Sequence, residues 1–222
     1  MNILPLDKYS YSFPDPSLAC DEGVLAYGGD LSTTRLITAY THGIFPWYNK
    51  SDPILWWSPD PRFILDINEL KVSKSLQKTI NKEIFEIKFD SNFEQVMIEC
   101  SKISRDGQEG SWILPEVIEA YVKLHEMKFA HSFEAYFDGE LVGGGYGINI
   151  GNIFCGESMF AKKSDASKVA FYHLVKRLKS NSFKYIDCQI PTSHLESLGA
   201  KKISRDKFLY LVKESINNPK DF

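Results

Sequence analysis

The sequence has 222 residues, of which 43% are hydrophobic and 25% charged, and its formal net charge is −3. This balance is typical of a globular chain with a sizeable core, and it excludes collagen-like, coiled-coil and wholly disordered proteins. Since the chain is acidic overall, a nucleic-acid partner would have to be bound by a local basic patch and not by the net charge.

Residues 1–62 differ in composition from the rest of the chain. They contain seven of its ten prolines, a density that predicts short elements and fixed turns. One helix is indicated here, with Ser32 as its N-cap and Gly43 as the residue that ends it. We therefore predict a small N-terminal domain in residues 1–62 and a second domain in residues 63–222.

Three of the four tryptophans lie close together in this first stretch. Trp56 and Trp57 are typical of a core cluster that holds a small proline-rich domain together. Trp47 follows Pro46 on a predicted loop, where the sequence is equally compatible with a ring that packs in the core and a ring that faces a ligand.

The pattern becomes regular after residue 63. Three helices are predicted, one over residues 73–81, one capped by Ser91 and one beginning at Pro115, and the polar residues 101–110 are predicted to form a loop. Three hairpin-connected strands follow over residues 131–137, 141–150 and 153–160. A helix capped by Ser164 or Asp165 then leads to a strand over residues 185–190.

This element order predicts an α/β (α+β) sandwich around a mostly antiparallel sheet, in which the strand after the last helix enters by a crossover connection. The order resembles the acetyltransferase-like (GNAT) fold. Because one fold supports many functions, this resemblance predicts the architecture alone.

The strand over residues 185–190 carries the best candidate for a catalytic pair. Asp187 and Gln189 are two residues apart, so a regular strand places both on one face, pointing out of the core. They could form a solvated sheet face. If the carboxylate accepts a hydrogen bond from the glutamine amide, the two side chains could instead act together in catalysis.

Glu157 is the only charged residue in the apolar strand predicted over residues 153–160. A buried carboxylate needs a cationic or hydrogen-bonding partner. On sequence alone, that partner is as readily structural as it is a ligand.

The glycines of Gly143–Gly147 lie inside a strand pattern and do not precede a helix. They therefore do not fit a dinucleotide-binding loop. They indicate a bulge or the close approach of a ligand.

A basic stripe is predicted around the helix over residues 73–81. Its lysines recur at steps of three and four residues with no acidic residue between them, and they are Lys71, Lys74, Lys78 and Lys82. A solvated helix face and a contact with a phosphate backbone are both compatible with this spacing.

The four cysteines form no CxxC pair, and neither they nor the histidines show a metal-ligand spacing. We expect no metal site and no disulfide framework. The N-terminus lacks the pattern of a signal peptide, and no apolar run is long enough to cross a membrane. The expected compartment is the cytoplasm.

Eight segments together resemble bacterial leucyl/phenylalanyl-tRNA–protein transferases. The resemblance extends from about Phe13 to Leu211. The segments are Phe13–Pro16, Gly23–Leu31, Gly43–Tyr48, Trp56–Arg62, Glu140–Gly144, Phe154–Phe160, Ile186–Gln189 and Ser197–Ala200.

The resemblance implies that Leu or Phe, and Met less well, is transferred from aminoacyl-tRNA to the N-terminal Arg or Lys of an acceptor protein. The acceptor would thereby be marked for degradation through the N-degron pathway. The resemblance implies no cofactor and no metal. It also implies a small N-terminal domain on an acetyltransferase-like catalytic domain.

Carried over by position, the resemblance also implies roles for individual residues. Asp187 and Gln189 would be the catalytic pair, with Glu157 in the same cleft, and Trp47 and Trp112 would line the site for the terminal aminoacyl-adenosine. The candidates for the amino-acid side-chain pocket are Phe154, Phe171, Leu174 and Ile186. The basic stripe would contact the tRNA acceptor arm.

The sequence departs from the family at Gly145, where the family usually has a bulky apolar residue in the amino-acid pocket. If Gly145 lines the pocket, the missing side chain leaves space unless a neighbour such as Tyr146 or Phe171 fills it. Additional space would favour Phe over Leu.

Two other functions remain compatible with the sequence. One is an enzyme of the same fold that transfers amino acids from tRNA to a cell-wall precursor. The other is a non-catalytic tRNA-binding module, in which Asp187 and Gln189 are only a solvated face.

Overall fold

The computed structural model describes residues 3–103 and 111–222, which form two β-sheets connected and covered by helices. Most of the loop predicted over residues 101–110 falls on residues 104–110, which lie outside the described residues. The mixed α/β class expected from the element order is confirmed.

The first part of the chain forms a small four-stranded sheet. Its strands are β1 (Leu4–Pro5), β2 (Val24–Tyr27), β3 (Phe45–Pro46) and β4 (Leu55–Trp57), in the spatial order β1-β2-β4-β3. Helix α1 (Thr33–Thr41) connects β2 to β3. As predicted, the Ser32 hydroxyl caps this helix by accepting from the Arg35 N–H, and Gly43 follows its end at φ 70°, a conformation that glycine adopts without strain.

The second sheet has seven strands and supports the cavity described below. Its strands are β5 (Arg62–Asp66), β6 (Glu86–Phe89), β7 (Ala130–Phe137), β8 (Glu140–Ile150), β9 (Ile153–Ala161), β10 (Tyr185–Gln189) and β11 (Lys201–Ile203). They lie in the order β11-β5-β10-β9-β8-β7-β6. The strands β9 and β10 pair in parallel and the other neighbours are antiparallel, so the predicted crossover is confirmed.

Six further helices accompany this sheet in the described part of the chain. They are α2 (Lys74–Ile80), α3 (Phe93–Ser101), α4 (Pro115–Glu126), α5 (Ala166–Ser180), α6 (Ser193–Ser197) and α7 (Arg205–Ile216). The predicted beginning of α4 at Pro115 is confirmed. Helix α5 provides the crossover between β9 and β10.

The N-terminus of α3 differs from the prediction that Ser91 caps this helix. Ser91 does not cap this helix, whose N-cap is Asn92. The buried carboxylate of Glu134, from β7, accepts instead from the backbone N–H groups of Ser91 and Asn92, at 3.0 and 3.1 Å. The cap comes from a residue more than forty positions away, which local spacing does not reveal.

The tryptophan cluster divides between core and surface. Trp56 is fully buried and its indole N–H donates to the Gly28 carbonyl, so its predicted core role is confirmed. Trp57 is half-buried and donates to the Trp47 carbonyl at 2.6 Å. The rings of Trp57 and Trp47 lie 5.1 Å apart, so Trp57 holds the neighbouring ring in place.

The chain passes from the small sheet to the large one at Arg62, the first residue of β5. One apolar cluster nevertheless contains residues from both sides of this point, among them Leu36, Trp56, Val96 and Tyr121. The two sheets therefore share a core, and the division into two domains at residue 62 stays a prediction. Every helix among the described residues is too short or too polar to cross a membrane.

Candidate active site

A cavity of about 470 Å³ opens where β3, the middle of the large sheet and helices α5 and α6 meet. Its volume is within the range of small-molecule sites. Nine of the residues singled out in the sequence line it, and they are Trp47, Trp112, Phe154, Glu157, Phe171, Leu174, Ile186, Asp187 and Gln189. The fold thus brings together residues that are up to 142 positions apart, from Trp47 to Gln189 (189 − 47).

Much of the wall is apolar and comes from separate elements. Phe154 lies on β9, Phe171 and Leu174 lie on α5, and Ile186 lies on β10; all four are buried. Phe133 and Met159, which the sequence did not single out, complete this wall. Both are ordinary apolar strand residues, so only the sheet register reveals their position.

Contrary to the expectation from the sequence, Gly145 does not line the cavity. A Cβ atom there would lie 2.6 Å from the Phe133 ring and 2.7 Å from Met159 Cγ. These two side chains and the Ser158 carbonyl oxygen, also 2.6 Å away, occupy the space that the glycine leaves. The expected preference for Phe based on an enlarged pocket therefore loses its physical basis. A bulge beside this position, between Tyr146 and Gly147, is confirmed.

Asp187 is fully buried and forms an ion pair with Arg62. The guanidinium donates through Nε to Oδ1 at 2.8 Å and through a terminal nitrogen to Oδ2 at 2.7 Å. Arg62 is itself buried, with its guanidinium 4.7 Å from the Phe45 ring centre and 4.4 Å from that of Phe208. The expectation that Asp187 points out of the core is therefore wrong, because its charge is neutralised inside the protein.

Gln189 does not share a regular strand face with Asp187. Its backbone has φ 60° and the register of β10 against β5 shifts between the two residues, which ends the two-residue alternation. The Gln189 backbone N–H donates to Asp187 Oδ1 at 2.9 Å, while its side-chain amide donates to Glu157 Oε1 at 2.8 Å. The expected amide–carboxylate contact thus involves Glu157 and not Asp187.

Glu157 lies at the centre of a hydrogen-bond network beneath the cavity. Its Oε1 accepts from Gln189 and from the Tyr40 hydroxyl, both at 2.8 Å. The Tyr40 hydroxyl is 2.5 Å from that of Tyr121. The carboxyl group therefore has structural partners, Gln189 and Tyr40, and Tyr121 in turn contacts Tyr40; the sequence assigned neither tyrosine to the site.

Burial raises the pKa of Glu157 to about 8, with the Asp187 charge adding to the shift and the hydrogen bonds from Tyr40 and Gln189 opposing it. In the unliganded protein Glu157 is therefore mostly protonated at neutral pH. Burial and the neighbouring Glu157 also raise the pKa of Tyr40 and of Tyr121. The hydrogen-bond network around Glu157 is consequently neutral, whereas Asp187, which also lines the cavity, is charged and paired with Arg62.

The raised pKa of Glu157 predicts a pH-dependent stability. Between pH 4.5 and about 8 the folded protein keeps a proton that the unfolded chain releases, so stability falls as the pH rises across this interval. The shift corresponds to at most about 5 kcal/mol, and less because the side chain is only half-buried. Glu157→Gln should therefore gain stability relative to wild type as the pH rises from 5 to 9, as measured by urea unfolding. A difference that stays constant over this range would contradict the assignment.

His194 is a residue of the cavity that the sequence did not assign. It lies on α6 and lines the cavity together with Thr192 and Leu195. Its side chain is exposed at the mouth, while partial burial and the nearby Lys168 lower its pKa. It is the one histidine that lines this cavity in the described part of the chain.

The basic stripe is only partly helical. Lys74 and Lys78 lie on α2, whereas Lys71 precedes its N-cap, Ser73, and Lys82 follows its end. All four lysines are exposed, and no ion pair involves them among the described residues. Only two of the four lysines therefore lie on the helix itself, and within the described part of the chain none of the four is ion-paired.

A second cavity of about 460 Å³ lies between α2, β6 and α5, away from Glu157 and Gln189. His173 lines it and is half-buried. Burial and Lys176 lower the pKa of His173. The described residues contain no cluster of three or more His, Cys, Asp or Glu that could hold a metal ion.

Comparison with known proteins points to one family. A family profile described as leucyl/phenylalanyl-tRNA protein transferase matches residues 64–213, and the profile for the N-terminal domain of that family matches residues 29–60. A leucyl/phenylalanyl-tRNA–protein transferase of Sulfurimonas denitrificans is 54% identical over 207 residues, which cover 93% of this chain and 90% of that protein. One of Flavobacterium johnsoniae is 52% identical over 201 residues, which cover 90% of this chain and 95% of that protein.

Solved structures show more distant similarity. The structure of L-PGS from Bacillus licheniformis has a TM-score of 0.41 and 14% identity, and covers 61% of this chain and 48% of that one. A conserved protein of unknown function from Bacteroides thetaiotaomicron has a TM-score of 0.44 and 15% identity, and covers 71% of this chain and 55% of that one.

Proposed function

Because the chain belongs to the leucyl/phenylalanyl-tRNA–protein transferase family, we propose that it transfers Leu or Phe, and Met less well, from aminoacyl-tRNA to the N-terminal Arg or Lys of acceptor proteins. The acceptor would then be degraded through the N-degron pathway. We place this activity in the cytoplasm, on a catalytic domain of the acetyltransferase-like type. The observation that carries the proposal is the cavity lined by both an apolar wall and the Glu157–Gln189 contact.

The cavity suits the aminoacyl end of a tRNA. In the proposed arrangement the side chain of Leu or Phe enters the apolar wall formed by Phe154, Phe171, Leu174 and Ile186. Trp47 and Trp112 offer aromatic surface to the terminal adenosine, since bases stack on such rings. The ester would then lie near the polar side chains of Glu157 and Gln189.

The chemistry requires little beyond positioning. The aminoacyl ester is already activated, and an α-amine has a reference pKa of about 7.7–8, so a useful fraction is neutral near pH 7. Holding amine and ester together contributes up to about 7–11 kcal/mol. Gln189 is proposed to bind the amine, while Asp187, paired with Arg62, holds the Gln189 backbone.

We propose that the exposed lysines bind the tRNA backbone. Neutralising Lys74, Lys78 and Lys82 together should weaken tRNA binding and flatten its salt dependence, with little effect on a minimal aminoacyl-adenosine donor. Each lost phosphate contact should reduce the log–log salt slope by about 0.7–0.9. Filter binding at several salt concentrations measures the slope, and an unchanged slope would show that these lysines are only solvated.

Incubation with labelled Phe-tRNA and a peptide that begins with Arg tests the proposed activity. Label should enter this peptide and should not enter the same peptide with an acetylated N-terminus, since the free α-amine is the nucleophile. Binding of Phe-tRNA without transfer would favour a tRNA-binding module. Transfer to a cell-wall precursor and not to the peptide would favour the related class of enzyme.

A further inference from the structure

The proposed reaction releases a proton that must leave the cavity. The amine nitrogen forms a bond to the ester carbonyl carbon, the bond from that carbon to the 3′ oxygen breaks, and its electron pair stays on the oxygen. An acceptor that begins as an ammonium group loses two protons when it becomes an amide. One of them goes to the 3′ oxygen, and the other needs a base.

The described residues that line the cavity include five titratable side chains. They are Tyr146, Glu157, Asp187, Cys188 and His194. Four of these are poorly suited to accept a proton near neutral pH.

Asp187 and Glu157 are both committed to other contacts. The two oxygens of Asp187 accept from the buried Arg62, and Oδ1 also accepts from the Gln189 N–H. Protonating Asp187 would leave the buried Arg62 charge unpaired, which is costly. Glu157 already holds a proton for most of its population at neutral pH.

Cys188 and Tyr146 are donors and not bases. Burial raises the pKa of the Cys188 thiol well above its ordinary value, with the Asp187 charge adding to the shift. Tyr146 is a fully buried phenol, whose hydroxyl is a hydrogen-bond donor. His194 is therefore the remaining group.

His194 has the properties that a proton acceptor at this place requires. Its imidazole lines the mouth of the cavity and is exposed, so a proton can pass from it to bulk water. Lys168 on α5 lies nearby, Glu196 is on the same helix as His194, and Glu157 and the ion-paired Asp187 line the same cavity. Partial burial and the nearby Lys168 lower its pKa, which favours the neutral imidazole that can accept a proton.

We propose that His194 accepts the proton of the attacking α-amine and releases it to solvent, an inference that rests on the proposed transferase function. Gln189 binds the amine and His194 removes its proton. The imidazole gains one proton from nitrogen and loses it to water, so it returns to its starting state in each cycle.

Single-turnover transfer from Phe-adenosine to an Arg peptide, measured from pH 5 to 9, tests the proposal. Wild type should show two ionisations, one below pH 6.5 from His194 and one near 7.7–8 from the amine. His194→Ala should be about 10²-fold slower at pH 7, keep only the amine ionisation, and regain rate with added imidazole. His173→Ala, a half-buried histidine at the second cavity, is the matched control and should keep the wild-type profile.

Lys168→Gln provides a second measurement, because the pH profile would not respond to this substitution if His194 had only a structural role. Removing this positive charge should move the lower ionisation to higher pH, because Lys168 lowers the His194 pKa. If wild type transfers Phe and His194→Ala keeps its rate within a few-fold with both ionisations, the proposal for His194 is overturned while the transferase function stands. If wild type itself transfers nothing, the proposed function fails and the His194 proposal fails with it.

Discussion

Gln189→Ala should lower the single-turnover rate of transfer by about 10²–10⁴ while tRNA affinity stays nearly unchanged. The Gln189 side chain lies in the cavity and is oriented by its amide donating to Glu157 Oε1 at 2.8 Å, so its own oxygen is left to accept from the attacking amine. The free lysines proposed to bind tRNA are not among the residues that line this cavity. Quench-flow measurement of transfer, together with filter binding of Phe-tRNA, separates the two effects.

The chain offers a matched control for this substitution. Gln95 on α3 makes the same contact, from its amide to Glu99 Oε1 at 2.8 Å, and it does not line the cavity. Gln95→Ala should therefore leave the rate unchanged. A rate for Gln189→Ala within a few-fold of wild type would remove Gln189 from the mechanism.

Asp187→Asn should destabilise the protein by about 3–5 kcal/mol, because it leaves the buried Arg62 charge without its counterion. This is a large part of the stability of an ordinary domain, about 5–15 kcal/mol. Urea unfolding, with and without the substitution, measures the loss. A lower transfer rate of Asp187→Asn would therefore combine two effects, the loss of stability and the displacement of the Gln189 backbone.

An exposed ion pair serves as the control for this effect. Glu119 accepts from Lys123 at 2.7 Å on the surface of α4, where ion pairs contribute about 0–1 kcal/mol. Glu119→Gln should therefore change stability by less than about 1 kcal/mol. A double variant, Arg62→Met with Asp187→Leu, should lose less than the sum of the single variants, since it removes both buried charges together. Equal losses of stability for Asp187→Asn and Glu119→Gln would show that the Arg62–Asp187 pair is not desolvated.

The local spacing of residues in the sequence was sufficient to predict most of the regular helices and strands. The cap at Ser32, the helix after Ser73, the beginning of α4 at Pro115 and the hairpin order of β7, β8 and β9 are all confirmed. Each of these depends on residues that are neighbours in the chain, through capping hydrogen bonds, turn geometry and side-chain periodicity. The family was likewise evident from runs of adjacent residues.

The tertiary structure alone decided how the side chains of the site are paired. Arg62 meets Asp187 across 125 positions, and Tyr40 meets Glu157 across 117. The sequence placed Asp187 on an open strand face and left space beside Gly145, because a periodic pattern contains no information on what packs against a strand from elsewhere. Burial, bulges and counterions arise only when distant elements pack. For that reason the sequence indicated Asp187, Gln189 and Glu157 as candidates. The fold added His194 and decided which of these side chains are charged, which are neutral and which remain open to a substrate.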